Sequence, residues 1–121
     1  MIDICISTQT NNIVGWVRTT GKLPLYLACN KFIIATRVGE ASRILPEEML
    51  ISYPASPPEG KIIKDSSYPK RLADKILAIQ QAPDIFNKKE LGRKIVAKYF
   101  EHTKLSRTAA NIIKKHLNIA K

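Results

Sequence analysis

The chain has 121 residues, enough for one ordinary domain with a buried core, and its 45% hydrophobic and 25% charged residues exclude a wholly disordered chain. Twenty Lys and Arg against ten Asp and Glu give a net charge of +10. The excess is one-sided: residues 1–60 hold five basic and five acidic side chains, residues 61–121 fifteen and five. Such a field draws polyanions, since each cation placed near a phosphate releases condensed counterions.

Taken in chain order, the first half reads as strands. IDICIS alternates Ile2, Ile4 and Ile6 with Asp3, Cys5 and Ser7. NIVGWVRT is β-branched and aromatic, and PLYLACNKFIIATRV offers two further extended runs broken near Asn30 and Lys31. Asn11-Asn12 and Thr20-Gly21-Lys22 supply turns, so an antiparallel meander is expected, with Trp16, Tyr26, Phe32 and Tyr53 packed in its core and both cysteines as small apolar strand residues. EASRILPEEMLI holds a short helix and a turn opened by Pro46. SYPASPPEGKIIKDSSYP contains four prolines and reads as a semi-rigid connector, with Ile62 and Ile63 tacked onto the core.

Beyond it the period becomes helical. Pro69, preceded by Ser66 and Ser67, starts a helix whose Leu72, Ile76 and Ile79 recur at i, i+4, i+7 until Pro83. Asn87, with Glu90 three residues on and Phe86 as staple to Leu91, predicts a second helix to about Phe100 or Glu101. Ser106 is placed to cap a third that buries Ala109, Ile112, Ile113 and Leu117. The expected fold is therefore α+β: a small, mostly antiparallel sheet in 1–53, a proline-rich connector in 54–69 and a basic trihelical unit in 70–121, sharing a core or not.

On a helical wheel Arg107, Thr108, Asn111, Lys114, Lys115 and Asn118 gather on the polar side of the third helix, with Lys104 just before it. These residue types read duplex DNA: Arg pairs with guanine, Asn with adenine, a Thr methyl meets thymine, and Lys binds phosphate. The second helix adds Lys88, Lys89, Arg93, Lys94 and Lys98 for phosphates. KKELGRKI followed by LSRTAANIIKKHL resembles the two halves of a helix-turn-helix DNA-binding motif, although VAKYFEHTK stands between them without a Gly. The resemblance implies a base-reading helix braced by the one before it.

The expected function is thus that of a small cytoplasmic DNA-binding regulator, dimeric through its N-terminal sheet. An RNA-binding protein, or an adaptor or inhibitor docking an acidic partner, are the alternatives. No phosphate loop, dinucleotide fingerprint, nucleophile elbow or zinc motif is present, so neither an enzyme nor a metal or cofactor is expected, and His102 and His116 lack a sequence-near acid. The opening MIDICISTQTNN is not a signal peptide, and no run reaches the roughly 18 apolar residues of a membrane span.

Overall fold

The computed structural model describes residues 4–18, 21–56, 63–82, 84 and 90–117. Its sheet has three strands, β1 (Ile4–Ser7), β2 (Phe32–Thr36) and β3 (Leu50–Ile51), in the order β1-β2-β3. All are parallel, with Ile4 opposite Phe32 and Ala35 opposite Leu50. The antiparallel meander is therefore corrected to an open parallel α/β sheet. Parallel neighbours need a crossover rather than a hairpin, and the chain between β1 and β2 supplies it as helix.

Two segments read as strands form that crossover. IVGWV becomes α1 (Ile13–Val17) and PLYLA lies in α2 (Lys22–Ala28). Asn12 is extended, and its side chain accepts from the Gly15 amide, so the residue read as turn chemistry is the N-cap of α1. Pro24 falls in the first turn of α2, where its missing N–H leaves no intrahelical bond unmade. Cys29 follows the end of α2 as an exposed residue, not a strand residue, whereas Cys5 is buried in β1. In β1, Cys5 is buried and Ile4 packs against the core, whereas Ile6 is 43% exposed.

The short helix α3 (Gly39–Ile44) and a 3-10 turn at Glu47–Met49, preceded by Pro46, link β2 to β3 as expected. Gly39 enters α3 at φ +56, where a Cβ would stand 2.8 Å from the Gly15 carbonyl oxygen. Only glycine takes that backbone without strain and lets α1 and α3 approach so closely. Helix α4 (Tyr68–Gln81) begins behind Ser67 with Pro69 in its first turn, and it turns Leu72, Ile76 and Ile79 toward the core. Pro83, the expected stop, lies outside the described residues.

Helix α5 (Leu91–Tyr99) begins later than expected: Glu90 precedes it in the left-handed region, at φ 70, and is not the third residue of a capped turn. Asn87 and Phe86 lie outside the described residues. Gly92 of α5 is buried, and its amide donates to Asn30 Oδ1 at 3.1 Å, where Asn30 turns the chain between α2 and β2 at φ 53. The core joins Leu23 and Leu27 of α2 to Phe32, Ile33, Ile34 and Ala35 of β2, and includes Ile79 of α4 and Ile95 of α5. β2 is buried along its whole length, as the middle strand of a parallel sheet covered on both faces must be.

The last helix, α6 (His102–His116), starts four residues before Ser106, which lies inside it. No residue of α6 is buried: Leu105, Ile112 and Ile113, with Leu117 just after the helix, are 52–63% exposed. The packed trihelical unit is thus corrected to two helices on the core and a third standing off it. Among the expected aromatic core residues Phe32 is buried, Tyr26 and Tyr53 are half-buried, and Trp16 is 53% exposed. Ile63 is likewise 37% exposed, and Ile62 lies outside the described residues.

Candidate functional site

Helix α6 continues almost directly from α5, with Phe100 and Glu101 as the link. Phe100 still packs against the core, while every residue from Glu101 to Leu117 is exposed. At 100° per residue, Lys104, Arg107, Thr108, Asn111, Lys114 and Lys115 fall within an arc of about 120° on α6. Leu105, Ala109, Ile112, Ile113 and Leu117 fall on the other side. Helical geometry thus puts these polar residues on one face of α6, and the opposite face is exposed as well.

No carboxylate pairs with these cations; among the described residues the ion pairs are Arg37 with Glu47 and Arg71 with Asp65. Unpaired and solvated, these cations are available to an anionic partner. Thr108 Oγ1 donates to the Lys104 carbonyl at 2.9 Å, so its hydroxyl proton is committed within the helix. Asn118, Lys88 and Lys89 lie outside the described residues.

Of the cations expected from the preceding helix, Arg93 and Lys94 are exposed on α5, where neither takes part in an ion pair. Lys98 places its Nζ 4.9 Å from the centre of the Tyr99 ring, which holds the ammonium over an aromatic face. Lys98 and Lys104 line one groove of about 340 Å³ with Arg43 of α3, with Glu40 and Glu101 also at its wall. The bend between α5 and α6 thus brings cations of both helices, and one from the neutral half, to a common surface. The geometry of a supporting helix bracing a recognition helix through apolar contact is absent among the described residues, since the apolar side of α6 touches no core.

A second polar region lies where the parallel strands end, at their carboxyl termini. Trp16 Nε1 donates to Asn11 Oδ1 at 2.8 Å, and Asn11 Nδ2 donates to the Tyr53 carbonyl at 2.9 Å. Thr36 Oγ1, at the end of β2, accepts from the Gln9 amide and shares a hydrogen bond with Tyr68 Oη. The strand ends are therefore tied together by the side chains of Asn11, Trp16, Thr36 and Tyr68 and by backbone groups of Gln9 and Tyr53. Sequence reasoning missed this region because it assigned Trp16 and its neighbours to a strand. The Asn-Asn pair ahead of Trp16 carried the signal, as a helix cap.

Fold and surface together define an open parallel α/β sheet bearing a projecting, cationic amphipathic helix. Comparison with protein families, with characterised proteins and with solved structures gives no match. Among the described residues no helix is long and apolar enough to cross a membrane.

Proposed function

We propose that the chain is a non-enzymatic nucleic-acid-binding protein that lays the polar face of α6 against a phosphate backbone, with duplex DNA as the favoured partner. One observation carries the reading: Lys104, Arg107, Asn111, Lys114 and Lys115 share an exposed face of α6, and none of its cations is ion-paired among the described residues. A helix of this width enters the major groove, where Arg107 and Asn111 reach base edges and the lysines reach phosphates. Lys94 and Lys98 of α5 extend the contact along the backbone. Self-association through the outer edge of β1, an end strand of the sheet, would present two such helices to adjacent half-sites.

Fluorescence anisotropy on duplex DNA, duplex RNA and single strands at two salt concentrations tests this. Arg107→Ala or Asn111→Ala costs about 1–3 kcal/mol on a preferred duplex sequence and little on others, whereas Lys114→Ala weakens all sequences and reduces the salt slope by about one. Equal retention of the parent and of a variant with Ala at Lys104, Arg107, Lys114 and Lys115 on every nucleic acid overturns the proposal.

A second reading rests on the other face of α6. Leu105, Ile112, Ile113 and Leu117 are exposed in a row, as in helices that dock into a protein groove, and the cations beside them suit an acidic rim. That adaptor role is favoured if Ile113→Ser abolishes function while nucleic-acid binding is nil.

A further inference from the structure

We infer that the carboxyl ends of β1 and β2 form a binding cleft for a nucleoside phosphate, separate from the α6 face. In open parallel sheets the strand ends and the loops that follow them leave a crevice into which backbone and side-chain polar groups converge. Here three depressions adjoin there, and Arg18 lines all of them. The first, about 280 Å³, lies between Trp16, Arg18 and Glu40. The second is a small recess between Arg18, Glu40, Gln9 and Thr36. The third, about 400 Å³, opens past Ser7 and Thr8 to Lys22.

One buried atom in this cleft lacks a partner, and two exposed side chains, Arg18 and Trp16, stand beside it. Glu40 Oε2 is shielded from solvent and takes no hydrogen bond among the described residues. A buried acceptor left unsatisfied costs about 1–3 kcal/mol, which a donor from a ligand would offset. Arg18 lines the same recess yet forms no ion pair with Glu40 or any other described carboxylate. Trp16 is more than half exposed, with its indole held by Asn11 through the ring nitrogen.

The order of these groups matches one ligand chemistry. The Trp16 ring offers a flat stacking surface for a base. Glu40, which lines the same depression, accepts from a ribose hydroxyl. Arg18 and, in the wider depression beyond, Lys22 take the phosphate, the guanidinium by paired N–H donors. An inorganic phosphate satisfies only Arg18 and Lys22, and a bare base only Trp16. A nucleoside phosphate serves all four residues.

Trp16 is the chain's only tryptophan, so its emission reports directly on the cleft. The full-length protein is titrated with AMP, GMP, CMP and UMP, with the 2′-deoxy forms, with ribose 5-phosphate and with inorganic phosphate. At least one ribonucleotide quenches Trp16 saturably, at least tenfold tighter than ribose 5-phosphate or phosphate. Arg18→Ala weakens it tenfold or more, Arg18→Lys less, and Glu40→Gln removes the preference for ribose over deoxyribose. Circular dichroism confirms that each variant keeps its helices. The variant with Ala at Lys104, Arg107, Lys114 and Lys115 binds the nucleotide as the parent does, which separates this site from the α6 reading. The inference is overturned if no nucleotide gives saturable quenching or calorimetric heat at millimolar concentration. Parent-like binding by both Arg18→Ala and Glu40→Gln, or phosphate alone binding as tightly, overturns it equally.

Discussion

Asp65 shows how one carboxylate fixes a helix start. It accepts from the Ser67 hydroxyl at 2.6 Å and the Ser67 amide at 2.9 Å, and it pairs with Arg71 one turn into α4. Ser67, through hydroxyl and amide, and then Arg71 favour the charged form and hold the carboxyl below its ordinary range. A carboxylate whose folded value lies below its unfolded one adds stability that is complete above the unfolded value, near pH 4, and is lost as pH falls through the depressed folded value. Chemical-denaturation midpoints measured from pH 7 down to pH 2 therefore fall less steeply for Asp65→Asn than for the parent, the two converging in acid. Parallel curves would show that Asp65 contributes nothing to the start of α4. Ser66, Ser67 and Pro69 marked this start in the sequence, while the carboxylate that secures it was not singled out: an acid two residues before the cap has no fixed spacing rule.

Among the elements, legibility followed how far local pattern and tertiary context agree. α4 was readable because its apolar spacing, its proline and its buried face all coincide. α1 and α2 were not, because β-branched and aromatic runs suit a strand as well as a short helix, and the parallel crossover decided between them. The unbroken FIIA run in β2, buried on both faces, was the available sign of a parallel sheet; a half-solvated antiparallel strand alternates instead. For α6 the sequence showed the polar face but not the fate of the apolar one. A helix of 15 residues with no buried side chain draws no support from packing, and isolated helices of about that length are marginal in water. Hydrogen exchange followed by mass spectrometry is accordingly expected to label residues 103–117 orders of magnitude faster than β2, and duplex DNA to slow that labelling. Protection of free α6 equal to that of β2 would mean that another surface, such as a second copy, already covers it.

For the molecule as a whole, the division of charge and the division of packing do not coincide. The neutral half contributes the sheet and the cleft, and the basic half contributes α5 and α6, yet Ile79 and Ile95 of the basic half lie in the same buried cluster as Leu27 and Ile33. The join between the halves is tightest at Gly92, where an added Cβ would sit 2.5 Å from the Leu27 carbonyl oxygen and 3.1 Å from the Asn30 Cα. Both neighbours are backbone, so neither can swing aside. Alanine there gains up to about 1 kcal/mol of helix propensity, but forcing α5 off α2 costs about 1–3 kcal/mol, and at so short a distance the upper part of that range applies. Gly92→Ala should therefore lower stability by about 1–2 kcal/mol. If the halves fold as one unit, the denaturation midpoints followed by Trp16 fluorescence, in α1, and by far-ultraviolet circular dichroism move down together. If residues 1–53 and 70–121 fold separately, the dichroism changes while the Trp16 transition stays where it was. Because α6 is held by no part of this core, the same substitution leaves its cationic face intact, and on the proposed function nucleic-acid affinity measured well below the midpoint stays within a few-fold of the parent.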